Sequence, residues 1–546
     1  MRAEALAPSP VDARAADAVV TAFDGTRLAT DVYLPRRSDR RRHPTILVRL
    51  PYDKGGYYAF MPEIAAYLVE HGFAVVVQDV RGKGRSGGET RAFVHEAADG
   101  AATLDWIAAQ PWSNGAVGMF GDSYYGVTQW AAASTRHPAL RAIVPRFCST
   151  RVAADWLTRQ GVFCLSTISE WAAMTWVDRS LWDFEMDWSI RPLREVIPGW
   201  LAGRRSASYD EWIALLNGSG LHDHGLGGAS AGLSIPALHV GGTWDVFNRG
   251  QIADFRRAAR TAGAPQHLLL RATDHYDDTM SVFGRPYVDK MADAQGRRAL
   301  LPRMLDQPLA FFRRYLAAEE EASPPAVEFE IAHGGTRRAT GWPPPAVGTR
   351  TWYLAAAAGA LDGPAGGALA ARPDRRPATL AWVHDPELPV PSGIKDPWRP
   401  LAGLPDERRI ESRPDVPTFT GEAFGEPFDI VGLVELDLEL AASGQGGHLM
   451  AKLVDVAPTG RATMIGEGAL LFERSPESQL VTVDLANLAY RLRSGHRLRI
   501  EVAGSSFPRY PIHPGTDEDP LDACEGRARD LAIVVGRRSR LRLQHL

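Results

Sequence analysis

Cysteine is scarce in this 546-residue chain: three residues, Cys148, Cys164 and Cys524, far apart. That spacing excludes a disulfide framework and the paired cysteines of a structural zinc site. Buried thiols in a reducing compartment are the expectation. No apolar run approaches the roughly 20 residues that cross a bilayer. The first 15 residues lack the apolar core of a secretory leader. A cytoplasmic protein is therefore expected. Neither sign of charge is in excess: 61 Lys and Arg against 65 Asp and Glu give a net charge of −4. Nothing in that balance calls for nucleic acid or an anionic membrane as partner. The one basic run, Arg36-Arg37-Ser38-Asp39-Arg40-Arg41-Arg42, reads as a solvated loop. No tandem repeat and no Gly-Lys-Ser/Thr phosphate loop is present.

What is present is the composition of a globular protein, 45% apolar and 23% charged, in a chain too long for one core. Residues 19–34 read as a hairpin turning at Asp24-Gly25. Short apolar runs at 45–50, 74–79 and 142–145 alternate with helical patterns at 61–71 and 96–110. That is the texture of an α/β fold with a parallel sheet. From about 150 to 230 the rhythm breaks. Seven of the fifteen tryptophans fall there, and helical spacing dominates, as in a cap inserted over the sheet. Most of these rings are expected to be core. Strand, helix and strand then resume at 235–241, 254–262 and 266–271, and a helix over 301–316 closes the domain. Beyond residue 323 short alternating runs among many Pro and Gly predict an antiparallel β domain, a sandwich or jelly roll. The expected division is a hydrolase-type α/β domain at 1–148 and 233–322, a helical cap at 149–232, and a β domain at 323–546.

The densest chemical signal is Gly121-Asp122-Ser123-Tyr124-Tyr125-Gly126. It follows an apolar strand and precedes a helix, the layout of a nucleophile elbow. The usual fifth-position glycine is here Tyr125, with Gly126 one further on. A plain serine N-cap is the bland alternative. An elbow serine needs a base and an orienting acid, in the order Ser, acid, His, each after a strand. Asp245 follows the run 235–241, and His275 follows the run 266–271. His239 and His267 lie within strands and read as packing residues, and Asp274 as a turn residue. The N–H of Tyr124 can bind an oxyanion. A second donor should come from the loop Pro51-Tyr52-Asp53-Lys54-Gly55, where the Tyr52 phenol either reaches in as that donor or packs the loop.

These residues resemble the serine hydrolases that include cocaine esterase, α-amino-acid ester hydrolases, glutaryl-cephalosporin acylases and X-Pro dipeptidyl-peptidases. The resemblance runs through Asp24-Gly25-Thr26, Pro51-Tyr52-Asp53-Lys54, Asp79-Val80-Arg81-Gly82-Lys83-Gly84-Arg85-Ser86-Gly87-Gly88, Gln110-Pro111-Trp112, the elbow, and Ser505-Ser506-Phe507-Pro508-Arg509. It implies an α/β-hydrolase fold with cap and C-terminal jelly roll. It also implies Ser123 as nucleophile, Asp245 as acid, His275 as base, and Tyr52 with Tyr124 as oxyanion hole. The family histidine usually follows a Gly-Pro-Trp-like turn, and here Arg271-Ala272-Thr273-Asp274 stands instead. Where the amino-acid ester hydrolases place acidic residues after the aspartate, this chain has Val246-Phe247-Asn248. Asp155, beside Trp156, is the one carboxylate at the cap entrance. A neutral or aromatic acyl ester or amide is therefore expected, bound near Asp155, Trp156 and Phe247, with no cofactor and no metal.

Other readings stay open. Gly82-Lys83-Gly84-Arg85-Ser86-Gly87 fits a dinucleotide fingerprint, but no helix opens on it. His95-Glu96-Ala97-Ala98-Asp99 lacks the second histidine of a zinc helix. The same acyl-enzyme could serve an acyltransferase or an X-Pro peptidase, or the β domain could bind a carbohydrate beside a vestigial hydrolase. Substrate identity and homo-oligomer formation are not legible.

Overall fold

The computed structural model describes residues 16–35, 42–56, 58–175, 186–196, 226, 229–261, 263–276, 294–355, 360–363, 366–441 and 446–546. Ten strands form the first sheet: β1 (Ala16–Thr21), β2 (Arg27–Tyr33), β3 (His43–Leu50), β4 (Ala74–Asp79), β5 (Ser113–Asp122), β6 (Leu140–Arg146), β7 (Ala237–Gly242), β8 (Gln266–Arg271), β9 (Val327–Ile331) and β10 (Gly335–Ala339). Their order across the sheet is β1-β2-β4-β3-β5-β6-β7-β8-β9-β10. The inner pairs from β4 to β9 are all parallel. Every residue of β4, β7 and β8 is buried, as expected of strands covered on both faces. The helices are α1 (Met61–Glu70), α2 (Glu96–Ala108), α3 (Tyr124–Ser134), α4 (Leu165–Thr175), α5 (Asn248–Thr261) and α6 (Ala294–Leu316).

Two elements differ from the sequence expectation. Residues 327–332 read as the start of the β domain, yet β9 pairs in parallel with β8, Leu268 opposite Val327. Its alternating burial suits an edge strand of either sheet. The crossover through α6 decides which. That helix begins at Ala294, ahead of the predicted start. In the tryptophan-rich region a two-residue hairpin, Thr158–Arg159 with Val162–Phe163, precedes α4. Nearly half of the expected cap, including Trp176, Trp182, Trp200 and Trp212, lies outside the described residues.

The chain beyond β10 builds a separate β-rich unit, an eleven-stranded sheet. Phe428–Leu440 pairs antiparallel with Gln479–Leu492, and Gly447–Val456 lies between Ala462–Phe472 and Arg497–Ala503. Leu436, Leu438, Leu453, Val483 and Ile500 are among its buried core.

The glycine-rich loop after β4 folds as an ionic clasp. Asp79 accepts hydrogen bonds from the backbone N–H of Lys54 (2.9 Å) and of Arg85 (3.1 Å). The Lys54 ammonium, itself buried, lies 3.3 Å from Asp79 and 3.2 Å from Asp31. Gly84 has φ +54, and a Cβ there would stand 2.5 Å from the Asp79 carboxyl carbon. Arg81 bridges Asp24 and Asp99. The glycines therefore let backbone wrap a carboxylate. Lys54→Ala would remove the buried cation between two buried carboxylates and is expected to lower the unfolding free energy by about 3–5 kcal/mol. Arg85→Ala, at a side chain 60% exposed, is expected to cost about 1 kcal/mol or less. Denaturant titration of the two variants checks the contrast.

Candidate active site

β5 ends at Asp122, α3 begins at Tyr124, and Ser123 makes the turn between them with φ 56° and ψ −124°. A left-handed φ at a residue with a side chain costs about 1–3 kcal/mol and persists only where neighbours enforce it. They do so here. The Ser123 N–H donates to the Arg146 carbonyl of β6 (2.9 Å), and its carbonyl accepts from Gly126 and Val127. A Cβ at Gly121 would lie 2.1 Å from the Tyr125 ring. One at Gly126 would lie 2.5 Å from Cys148 Sγ. So the motif needs glycine at 121 and 126, and tolerates Tyr125 at the usual glycine position because that ring covers Gly121. Tyr124 is the first residue of α3, so its N–H has no acceptor within the helix. Its buried phenol donates to Glu96 (2.8 Å) and accepts the Phe93 N–H (3.0 Å).

The turns after β7 and β8 are laced together. Thr243 N–H donates to the Arg271 carbonyl and Trp244 N–H to the Thr273 carbonyl, each at 2.9 Å. A Cβ on Gly242 would stand 2.7 Å from the Thr273 carbonyl oxygen, so the two turns can approach this closely only with glycine there. That lacing sets Asp245 against His275, with Oδ1 2.8 Å from Nδ1. A carboxylate only accepts, so Nδ1 carries the proton, which leaves Nε2 as an acceptor. Ser123, His275 and Tyr52 line one cavity with Tyr58, Tyr276 and Asp122. The Tyr52 phenol is pushed up to about 12, by burial above all. Hydrogen bonds with the Trp171 indole and the Ser123 hydroxyl oppose that rise.

The other expected residues fall in different places. Trp156 is buried in an aromatic cluster, 4.7 Å from the Trp171 ring and 5.9 Å from Phe247, and neither Trp156 nor Phe247 lines the cavity holding Ser123. Phe247 lies 5.7 Å from the His275 ring. The Asp155 carboxylate turns the other way. It accepts the Ser149 hydroxyl (2.7 Å), close to Gly250, and is not part of the cavity holding Ser123. His239 is packed between Trp130 and Phe255 and held down to about 4 by burial. His267 faces the Pro325 carbonyl at 3.1 Å. Asp274 accepts the N–H groups of Tyr276 and Leu401.

Sequence reasoning missed the contribution of the segment around Trp398, more than a hundred residues downstream. The His275 N–H donates to the Trp398 carbonyl (3.3 Å), and the two rings lie 4.9 Å apart. Asp122 is paired with Arg146 at 2.5 Å, a contact its place beside Ser123 did not reveal. Neither did the sequence single out Glu170, on α4. Burial, and then the nearby Asp396 carboxylate, push Glu170 up to about 8. Asp396 is itself raised by burial. Among the described residues no group of three or more His, Cys, Asp or Glu could hold a metal ion, and no helix is long and apolar enough to cross a membrane.

The profile of the X-Pro dipeptidyl-peptidase (S15) family matches residues 24–277, and that of the X-Pro dipeptidyl-peptidase C-terminal non-catalytic domain matches residues 320–538. The chain belongs to the hydrolase family of cocaine esterase and the X-Pro dipeptidyl-peptidases. Cocaine esterase of Rhodococcus sp. (strain MB1 Bresler) is 29% identical over 92% of both chains. The same fold is found in an aminopeptidase from a marine sediment Thaumarchaeota archaeon, with TM-score 0.80 and 21% identity over 100% of this chain and 98% of that one. An α-amino acid ester hydrolase superposes with TM-score 0.79 and 22% identity over 99% and 98%. Family membership makes the protein a serine hydrolase of the S15 type, acting on ester or peptide bonds.

Glu170 generates a pH prediction. Its folded value near 8 exceeds the ordinary 4.5, so the unfolded chain releases this proton first. Stability from this group is complete below pH 4.5 and is lost as pH rises through about 8. Glu170→Gln should therefore be more stable than the parent, by a margin that widens between pH 4.5 and 8. Thermal melts across that window test the sign.

Proposed function

We propose that this hydrolase cleaves a neutral or aromatic acyl ester or amide through Ser123, His275 and Asp245. The observation that carries the reading is the 2.8 Å Asp245–His275 contact beside the cavity that His275 shares with Ser123 and Tyr52. His275 Nε2 takes the Ser123 proton as Oγ attacks the carbonyl carbon. The oxyanion forms between the Tyr52 hydroxyl and the Tyr124 N–H, at the positive end of α3. His275 then passes the proton to the leaving group. Water, deprotonated by the same nitrogen, releases the acid from the acyl-enzyme. The aromatic lining of the cavity, with Tyr58, Phe60, Phe120 and Tyr276, favours a flat apolar acyl group. The β-rich unit is read as a jelly roll and the tryptophan-rich region as a cap.

A second reading is favoured by one observation. The Glu170 and Asp396 carboxyls lie near each other, and the Asp396 charge reaches His275. A substrate ammonium could pair there, as an amino ester or X-Pro peptide would need. Against it, Glu170 near 8 is largely protonated at neutral pH, which leaves one carboxylate.

The test is a panel of p-nitrophenyl acyl esters, an aromatic acyl ester, an α-amino acid ester, an acyl amide and an X-Pro anilide. Ser123→Ala should lose about 10⁴-fold or more in kcat and escape fluorophosphonate labelling. Tyr52→Phe should lose about 10²–10³-fold with labelling slowed in step. Preference for the amino ester or X-Pro anilide would transfer the reading to the carboxyl pair, and full turnover by Ser123→Ala would sink the mechanism.

A further inference from the structure

Behind the Asp245–His275 pair lies a second hollow. It is a crevice of about 70 Å³ between the turn after β7 and the β-rich unit, with Met464, Glu467, Ala486 and Tyr510 on the far wall. Ser123 and His275 line the other cavity, so this crevice reaches Asp245 from the side away from the reacting serine.

Two buried polar side chains of the turn line this crevice, Thr243 and Asp245, each only 4% exposed. Asp245 Oδ1 is engaged by His275. Asp245 Oδ2 and Thr243 Oγ1 have no hydrogen-bond partner among the described residues. A buried carboxylate oxygen without a donor is costly, and it sits in the group that must orient the imidazole.

The chemistry of the wall selects the occupant. Arg159, Arg249 and Arg509 also line the crevice; each has a partner, although Arg509 Nη1 makes no hydrogen bond among the described residues. Arg159 donates to the Val246 carbonyl (2.6 Å), Arg249 pairs with Asp484 (3.0 Å), and Arg509 pairs with Glu467. Three guanidiniums face three carboxylates, those of Asp245, Asp484 and Glu467, so an anion or a cation gains little. A small neutral donor fits. The crevice offers several times the roughly 10–15 Å³ a water needs, together with the two or more polar partners that hold one in place.

We propose that this crevice is a hydration site of the catalytic acid. An ordered water donates a hydrogen bond to Asp245 Oδ2 and is held by Thr243 Oγ1, which makes Thr243 a positioning residue. The inference rests on the reading of Asp245 as the acid. The water spreads the carboxylate charge over two donors. Without it, Asp245 attracts the imidazolium more strongly and His275 holds its proton to higher pH. The β-rich unit, which closes the crevice, thereby enters the acid-base chemistry.

Four variants and a crystal structure test this. Thr243→Val keeps the shape and removes the hydroxyl. Ala486→Leu fills the crevice from the far wall. Both are expected to lower kcat/KM about tenfold and to raise the acid limb of its pH profile by about half a unit or more. Thr243→Ser should restore both. A high-resolution structure of the parent should show water density within hydrogen-bond distance of Thr243 Oγ1 and Asp245 Oδ2. Unshifted profiles in both first variants would overturn the proposal. So would loss in Thr243→Val without rescue by serine, or a crevice without water density. Asp245→Asn separates the two levels. If it is inactive while the other profiles stay unshifted, the hydration site alone falls. If it stays active, the acid assignment falls and the proposal with it. Should Thr243→Val fail to fold, Ala486→Leu and the density decide.

Discussion

The left-handed turn at Ser123 is the constraint from which the rest of the site is arranged. A side chain at φ 56° is held there by the β6 carbonyl that accepts its N–H and by the first turn of α3 that bonds to its carbonyl. Glycine at 121 and 126 is the steric condition for that arrangement, since a Cβ at either would meet Tyr125 or Cys148. The turn lifts the hydroxyl into the cavity with Tyr52 and His275 and aims the N-terminus of α3 at the same space. Strain at one residue is offset by packing in two neighbouring elements.

A second layer of organisation comes from backbone rather than side chains. The turns after β7 and β8 exchange two N–H···O=C bonds, which leaves Asp245 and His275 little freedom to drift apart. The His275 turn is bonded again on its outer side, to the Trp398 carbonyl and the Leu401 N–H. Charge plays the same fixing role in the loop after β4. There Asp79 is ringed by Lys54 and the Arg85 N–H. The sequence Gly82-Lys83-Gly84-Arg85-Ser86-Gly87, which formally fits a nucleotide fingerprint, is this carboxylate's wrapping.

Much of this was readable in one sequence because the physics is local. The elbow is a steric pattern over six residues. The aspartate and histidine positions follow from counting strands, and the structure sets the two side chains 2.8 Å apart. The parallel order of the inner strands follows from alternating apolar runs and helices. What local pattern could not carry is contact at long range and side-chain direction. Nothing near Trp398 announces that its ring will lie against His275. The alternation of β9 is compatible with either sheet, and only its parallel pairing with β8 decides between them. Asp155 sits beside Trp156 in sequence, yet their side chains diverge, one to the Ser149 hydroxyl and the other into the aromatic cluster. The carboxyl of Glu170 drew no attention because its character comes from burial against Asp396.

The bonds from Trp398 and Leu401 to the histidine turn also bear on how such a chain can change over evolutionary time. A histidine loop whose outer face is completed by another unit is half of a matched pair. Recombination between relatives that exchanges the C-terminal half alone would bring a partner segment fitted to a different loop. The two halves are thus bound to change together at this contact, although each has its own sheet.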